Sequence, residues 1–158
     1  MYVGMRIPGN RQGNEHNAFL PGVEYVAMER GRTTIMLADD DPVALKSATE
    51  ALTGAGFKVV QAADGQRALQ EALSRRVDLI VMDVSMPQVG GVEACHCLKA
   101  MPKTSKIPVV LTAAKKDPAA RTLAERTHGS VRILRKPFTL EELISVAKQL
   151  VNHRSLLH

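Results

Sequence analysis

DLIVMD, Asp78 to Asp83, sets four apolar residues between two carboxylates. Leu79, Ile80, Val81 and Met82 are apolar at odd and even positions alike. A strand with one face in water alternates polar and apolar residues, because successive side chains point to opposite faces. The unbroken run therefore predicts a strand covered on both faces. Helices must supply that cover, and the chain has them. Short apolar runs rich in β-branched residues recur at 33–38, 57–61, 107–112 and 130–135, besides 78–83. Amphipathic stretches lie between and after them at 43–55, 65–75, 91–101, 117–127 and 139–152. Leu140, Leu143, Ile144, Ala147, Leu150 and Val151 show the 3.6-residue period. Thr139-Leu140-Glu141-Glu142 reads as a capping box, and Gly54-Ala55-Gly56 and Gly129 supply helix exits. Strands alternating with helices predict an α/β fold: a doubly wound, five-stranded parallel sheet with right-handed crossovers.

Composition agrees with one globular domain. The chain has 158 residues, of which 45% are hydrophobic, enough to bury a core. Aromatics make up 3% and Trp is missing, so that core is aliphatic. The net charge of +5 raises the question of nucleic acid. The Lys and Arg are scattered, however, with no aromatics among them for base stacking, and no nucleic-acid contact is expected. Cys95 and Cys97 point to different faces of a helix and make neither a disulfide nor half a zinc site; reduced thiols suit a cytoplasmic protein. No run is long enough for a membrane span and no signal peptide is evident, so no membrane contact is expected. Residues 1–27 are rich in Gly, Asn and Pro without a sustained period. We read 1–32 as a poorly structured extension, with Met28 a second start-like position, 33–152 as the folded domain and 153–158 as a tail. A protein beginning at Met28 is expected to fold as well as the full chain.

In a sheet of this kind, sites form beyond the C-terminal ends of the strands, where strand order reverses. The chemically unusual residues fall there. The first strand runs into Asp39-Asp40-Asp41-Pro42, the third ends in Asp83, the fourth in Thr112 and the fifth in Lys136-Pro137. The second ends in Gln61-Ala62, with nothing reactive. Asp83 lies 43 residues after Asp40 (83 − 40) and Thr112 another 29 after that (112 − 83), so only the fold can assemble them. Asp41 serves as a helix N-cap with Pro42 at the first helical position. Asp39, Asp40 and Asp83 form an all-oxygen group suited to Mg²⁺. The five histidines are scattered without metal-ligand spacing and read as surface residues.

The ordered set LADDDP, DLIVMDVSMPQVGG, IPVVLTA and RKPF resembles the response-regulator receiver domains of bacterial two-component signalling, over about residues 33–152. The resemblance implies the flavodoxin-like order 2-1-3-4-5. It implies that Asp83 accepts a phosphoryl group from a phosphohistidine on a sensor histidine kinase or a phosphotransfer protein. It adds the backbone carbonyl of Ser85 to Asp39, Asp40 and Asp83 as Mg²⁺ ligands, and makes Thr112 and Lys136 partners of the phosphoryl oxygens. It also implies a cis Lys136–Pro137 bond. Output then runs through the face of helix 4, strand 5 and helix 5 to a protein target, from a monomer or a phosphorylation-dependent dimer.

Four positions depart from that pattern or bear on its tuning. Ile133 stands where the family usually has an aromatic that swings inward, Gly90 where Asp is common, and Ser85 and Ala114 where phosphoryl lifetime is modulated. Other functions fit less well. An aspartyl-phosphate phosphatase carries a second Asp two residues after the nucleophile, and here that residue is Ser85. A phosphorylation-independent interaction module on the same fold would be expected to lose one of the acids, Thr112 or Lys136. A DNA-binding helix-turn-helix is not expected in the short stretch after the last helix, and output through protein contacts is expected instead.

Overall fold

A computed structural model describes residues 32–114 and 116–156, the side chains as far as Asn152. The expected extension and Met28, and the side chains of Lys115, His16, His153 and His158, lie outside the described residues. The chain divides into Met1–Arg32 and Thr33–His158, and the second unit carries the fold.

Five strands, β1 (Thr34–Ala38), β2 (Lys58–Ala62), β3 (Leu79–Asp83), β4 (Val109–Ala113) and β5 (Val131–Arg135), alternate with five helices. The helices are α1 (Pro42–Gly54), α2 (Gly65–Ser74), α3 (Gly91–Ala100), α4 (Pro118–Arg126) and α5 (Leu140–Leu156). All pairings are parallel and the order is β2-β1-β3-β4-β5, as expected for a doubly wound, flavodoxin-like sheet. The last helix runs past 152 as far as Leu156, so residues 153–156 continue α5 where a tail was expected.

The pleat sorts the apolar residues into two cores. Ile35, Leu37, Leu79, Val81 and Val110 meet Leu52 of α1 and Leu143, Ala147 and Leu150 of α5. Met36, Ile80, Met82, Val109 and Leu111 meet Ala68 and Ala72 of α2, Ala94, Cys95 and Leu98 of α3, and Ala120 and Leu123 of α4. Every residue of β3 and β4 is buried, which is why DLIVMD reads as an unbroken apolar run. Full burial of each such aliphatic side chain stabilises the fold by roughly 1.5–3 kcal/mol.

Short polar side chains start the helices close to the strand ends. Asp41, Asp64 and Asp117 each accept a hydrogen bond from a first-turn amide, at 3.0, 2.7 and 3.0 Å. Such caps contribute about 1 kcal/mol each. Thr139 and Glu142 exchange bonds of 2.9 and 3.0 Å, the expected capping box. Gly56 and Gly129 leave their helices with φ of +101° and +91°, a region that favours glycine. Among the described residues no helix is long and apolar enough to cross a membrane.

Candidate functional site

The register of the sheet sets Asp83 beside Thr112, and Ala38, the residue before Asp39, beside Met82. Strands of matched length thus bring their carboxyl ends to one edge. Asp39, Asp40 and Asp83 each offer a carboxylate oxygen within 4.8 Å of the others. Asp83 is 4% exposed, Asp39 half-buried and Asp40 exposed.

Backbone bonds hold the acids in place. The Asp39 amide donates to the Ala62 carbonyl at 3.1 Å, extending the β1–β2 pairing by one residue. The Asp41 amide donates to Asp39 Oδ1 at 2.9 Å. The Val84 amide donates to the Thr112 carbonyl at 3.0 Å and continues the β3–β4 ladder past Asp83. Gly91 opens α3 directly against Asp83; a Cβ there would stand 2.3 Å from the Asp83 carbonyl oxygen. Only glycine lets the helix start this close to the strand it follows.

The cation comes from the far edge. Lys136 Nζ lies 3.0 Å from Asp83 Oδ1, and the Thr112 hydroxyl donates to the same oxygen at 3.4 Å, a long bond. The Lys136–Pro137 bond is cis, and the Lys136 amide donates to the Ala113 carbonyl at 2.8 Å, prolonging the β4–β5 pairing. The cluster therefore holds three carboxylates against one ammonium. The pKa of the Asp39 carboxyl is raised above its ordinary value. Burial is the largest cause and Asp83 and Asp40 add to it, against the Asp41 amide and Lys136. An all-oxygen donor set with surplus negative charge fits a hard divalent cation such as Mg²⁺.

The structure thus brings together Asp39, Asp40, Asp83, Thr112 and Lys136, every side chain singled out at the strand ends. Ser85 sits exposed in the loop leaving Asp83, and Ala114 exposed just past β4. His96 and His128 are exposed and apart from the cluster. Cys95 is buried in the core, where burial pushes its thiol up to about 11, while Cys97 is exposed. Sequence reasoning passed over Gly65. It opens α2 from the unreactive β2 end, yet its Cα faces the Val89 carbonyl in the loop after Asp83. The Asp64-Gly65 pair at a helix start was the available signal.

The response regulator receiver domain family matches residues 35–148. Over 129 residues the chain is 36% identical to the transcriptional regulatory protein PrrA of Mycobacterium tuberculosis, covering 80% of this chain and 54% of that protein. It is 32% identical over 118 residues to the DNA-binding response regulator MtrA of Mycolicibacterium smegmatis, covering 75% and 50%. The chain spans about half the length of these curated relatives. Among solved structures, the chemotaxis protein CheY4 of Vibrio cholerae superposes with a TM-score of 0.70 at 26% identity, covering 76% of this chain and 99% of that one.

Proposed function

The chain belongs to the response regulator receiver family, and from that premise we propose that it is a phosphorylation-dependent switch with Asp83 as phosphoacceptor. A carboxylate oxygen of Asp83 attacks the phosphorus of a phosphohistidine on a sensor histidine kinase or phosphotransfer protein. The new P–O bond forms as the P–N bond breaks, leaving an acyl phosphate on Asp83 and returning the electron pair to the donor's ring nitrogen. Asp39, Asp40, Asp83 and the backbone carbonyl of Ser85 would hold Mg²⁺, which when bound neutralises charge on the phosphoryl oxygens. Lys136 gives the transferred group a fixed cation, and Thr112 a hydroxyl donor. Because Ile133 replaces the usual aromatic, the switched state rests on Thr112 and Lys136.

The observation that carries this reading is the convergence on Asp83 Oδ1 of Lys136 at 3.0 Å and Thr112 at 3.4 Å, beside two further carboxylates. Incubation with Mg²⁺ and acetyl phosphate should add the mass of one phosphoryl group at Asp83, and none to the Asp83→Asn variant. Wild-type protein that gains no mass would favour a phosphorylation-independent interaction module.

The output runs through protein contacts at the face of α4, β5 and α5, with the protein in the cytoplasm as a monomer or a phosphorylation-dependent dimer. A cleft of about 190 Å³ between α4 and β5 supports this choice. Its walls are Ala113, Pro118 and Ile133, and Lys116, Arg121 and Arg135 stand around it, against the single carboxylate of Asp117. Arg121 and Arg132 already have local partners, Glu125 at 3.1 Å and Gln149 at 3.3 Å, so a target must compete with these contacts. Such a rim fits an acidic protein surface, bound in a salt-dependent way.

A further inference from the structure

The loop from Val84 to Gly90 carries Ser85 and is fastened at both ends. Its first amide bonds to β4, the Gly91 amide donates to the Val84 carbonyl at 3.2 Å, and the Gly90 amide donates to Glu93 Oε1 at 3.2 Å. Between these points the chain turns at Gln88, which adopts φ +64°, a conformation uncommon outside glycine. The turn delivers the Val89 carbonyl against Gly65, the first residue of α2. A Cβ on Gly65 would meet Val89 O at 2.1 Å, its carbonyl carbon at 2.9 Å and its Cβ at 3.0 Å. Two of those three atoms are backbone, so no side-chain rotation relieves the overlap.

One side of this contact is rigid. The Asp64 carboxylate caps α2 through the Arg67 amide at 2.7 Å, and Ala68 and Ala72, at 0% and 1% exposure, lock the helix into the core. The loop is the softer side: Ser85, Pro87 and Gln88 are exposed and Val89 is only half-buried. Any group added at Gly65 must therefore displace the loop by roughly 1 Å to restore an ordinary C···O contact.

From this we infer that Gly65 is a positioning residue for the candidate metal site: its bare Cα sets how close the loop that bears Ser85 lies to the carboxylates. The inference rests on the reading of Asp39, Asp40, Asp83 and the Ser85 carbonyl as Mg²⁺ ligands. It gives the β2–α2 end of the sheet, which carries no reactive side chain, a part in the site. The arrangement acts as an outer support, and losing such support typically weakens metal affinity by 10–100-fold.

The test compares wild type with Gly65→Ala, using Gly54→Ala as a control because a Cβ at Gly54 meets nothing within 4 Å. Three quantities are read: calorimetric Mg²⁺ affinity, backbone amide shifts of the metal-free protein, and the Mg²⁺ dependence of acetyl phosphate labelling. For Gly65→Ala the expected result is Mg²⁺ affinity weaker by about tenfold. Amide shifts should concentrate in 84–90, and saturating Mg²⁺ should restore most of the labelling rate. Gly54→Ala should match wild type in all three. Gly65→Ala protein that is less stable yet binds Mg²⁺ as wild type does would overturn the inference, leaving Gly65 a structural residue only. Should Gly65→Ala fail to fold, Val89→Gly loosens the same contact from the loop side. It should fold and bind Mg²⁺ several-fold more weakly, and undiminished affinity overturns the inference equally. Wild-type protein that binds no Mg²⁺ overturns the metal-site reading itself, and this inference with it.

Discussion

Two carboxylates among the described residues are almost buried beside cations, and they differ in where the cations come from. Glu71, 9% exposed, lies against Arg67 at 3.5 Å and in close contact with Arg75, each four residues away, one within α2 and the other capping its end. Asp83, 4% exposed, meets Lys136 from beyond β5 and Thr112 from β4, with Asp39 and Asp40 crowding in from β1. The helical cluster forms whenever α2 forms, and it has two cations for one anion. The sheet-edge cluster exists only when the strands are in register, and it has three anions for one cation. A satisfied cluster can add a few tenths of a kcal/mol per pair to a helix and has no call for a ligand. An unbalanced one is a cost in the metal-free protein, which an added cation relieves.

The largest effect expected from breaking this contrast is at Asp83. Asp83→Asn should lower phosphoryl uptake by about 10³-fold or more, because the proposed nucleophile itself is gone. The same variant should bind Mg²⁺ more weakly, and in chelator it should be more stable than wild type, since one of three crowded charges has been removed. Phosphate incorporation, titration calorimetry and thermal unfolding measure the three effects. Uptake at the wild-type rate would place the nucleophile elsewhere.

Lys136→Ala should separate what Asp83→Asn joins. Mg²⁺ binding should hold or strengthen, because a competing cation is lost, and phosphorylation should persist at a lower rate. The metal-free protein should lose on the order of 1 kcal/mol; the Lys136 side chain is 35% exposed, so solvent screens the pair. Binding to the output partner should no longer respond to phosphorylation. A partner that still discriminates the two states would remove Lys136 from the switch.

Asp39 sharpens the comparison through pH. Its folded-state pKa is raised above the ordinary 3.8, first by burial and then by Asp83 and Asp40. The folded state thus holds the proton more tightly than the unfolded chain. The corresponding stability is fully present below 3.8 and is lost as pH rises through the folded value. Metal-free wild type should therefore lose stability relative to Asp39→Asn across that window, and Mg²⁺ should narrow the gap at neutral pH. Parallel stability–pH profiles for the two proteins would mean that crowding at the site has little energetic weight.

The smallest effect belongs to the other cluster. Glu71→Gln should cost about 0.5–1 kcal/mol and leave Mg²⁺ affinity and phosphorylation unchanged, because its partners lie on its own helix and at that helix's C-cap. Altered phosphorylation would show that the two regions are coupled after all.

Most of the fold was legible because burial on both faces leaves a plain mark in sequence. β3 and β4 are apolar throughout, and the predicted strands fall within a few residues of those observed. The boundaries moved where single hydrogen bonds decide them. β2 begins at Lys58, since the Phe57 amide turns back to the Leu52 carbonyl at 3.1 Å to close the exit from α1. β4 begins at Val109, since the Ile107 amide is held by the Thr104 carbonyl at 3.1 Å and Pro108 has no amide to give.

The sequence by itself determined which strand ends carry Asp39, Asp40, Asp83, Thr112 and Lys136, because hydrophobic period and residue type are local properties of the chain. Only the tertiary structure decided that Lys136 and Thr112 share one oxygen of Asp83, that Asp39 is half-buried with a raised pKa, and that Val89 leans on Gly65. Charge crowding depends on strand register, and a close backbone approach depends on an atom that glycine lacks. Neither leaves a periodic trace in the order of the residues.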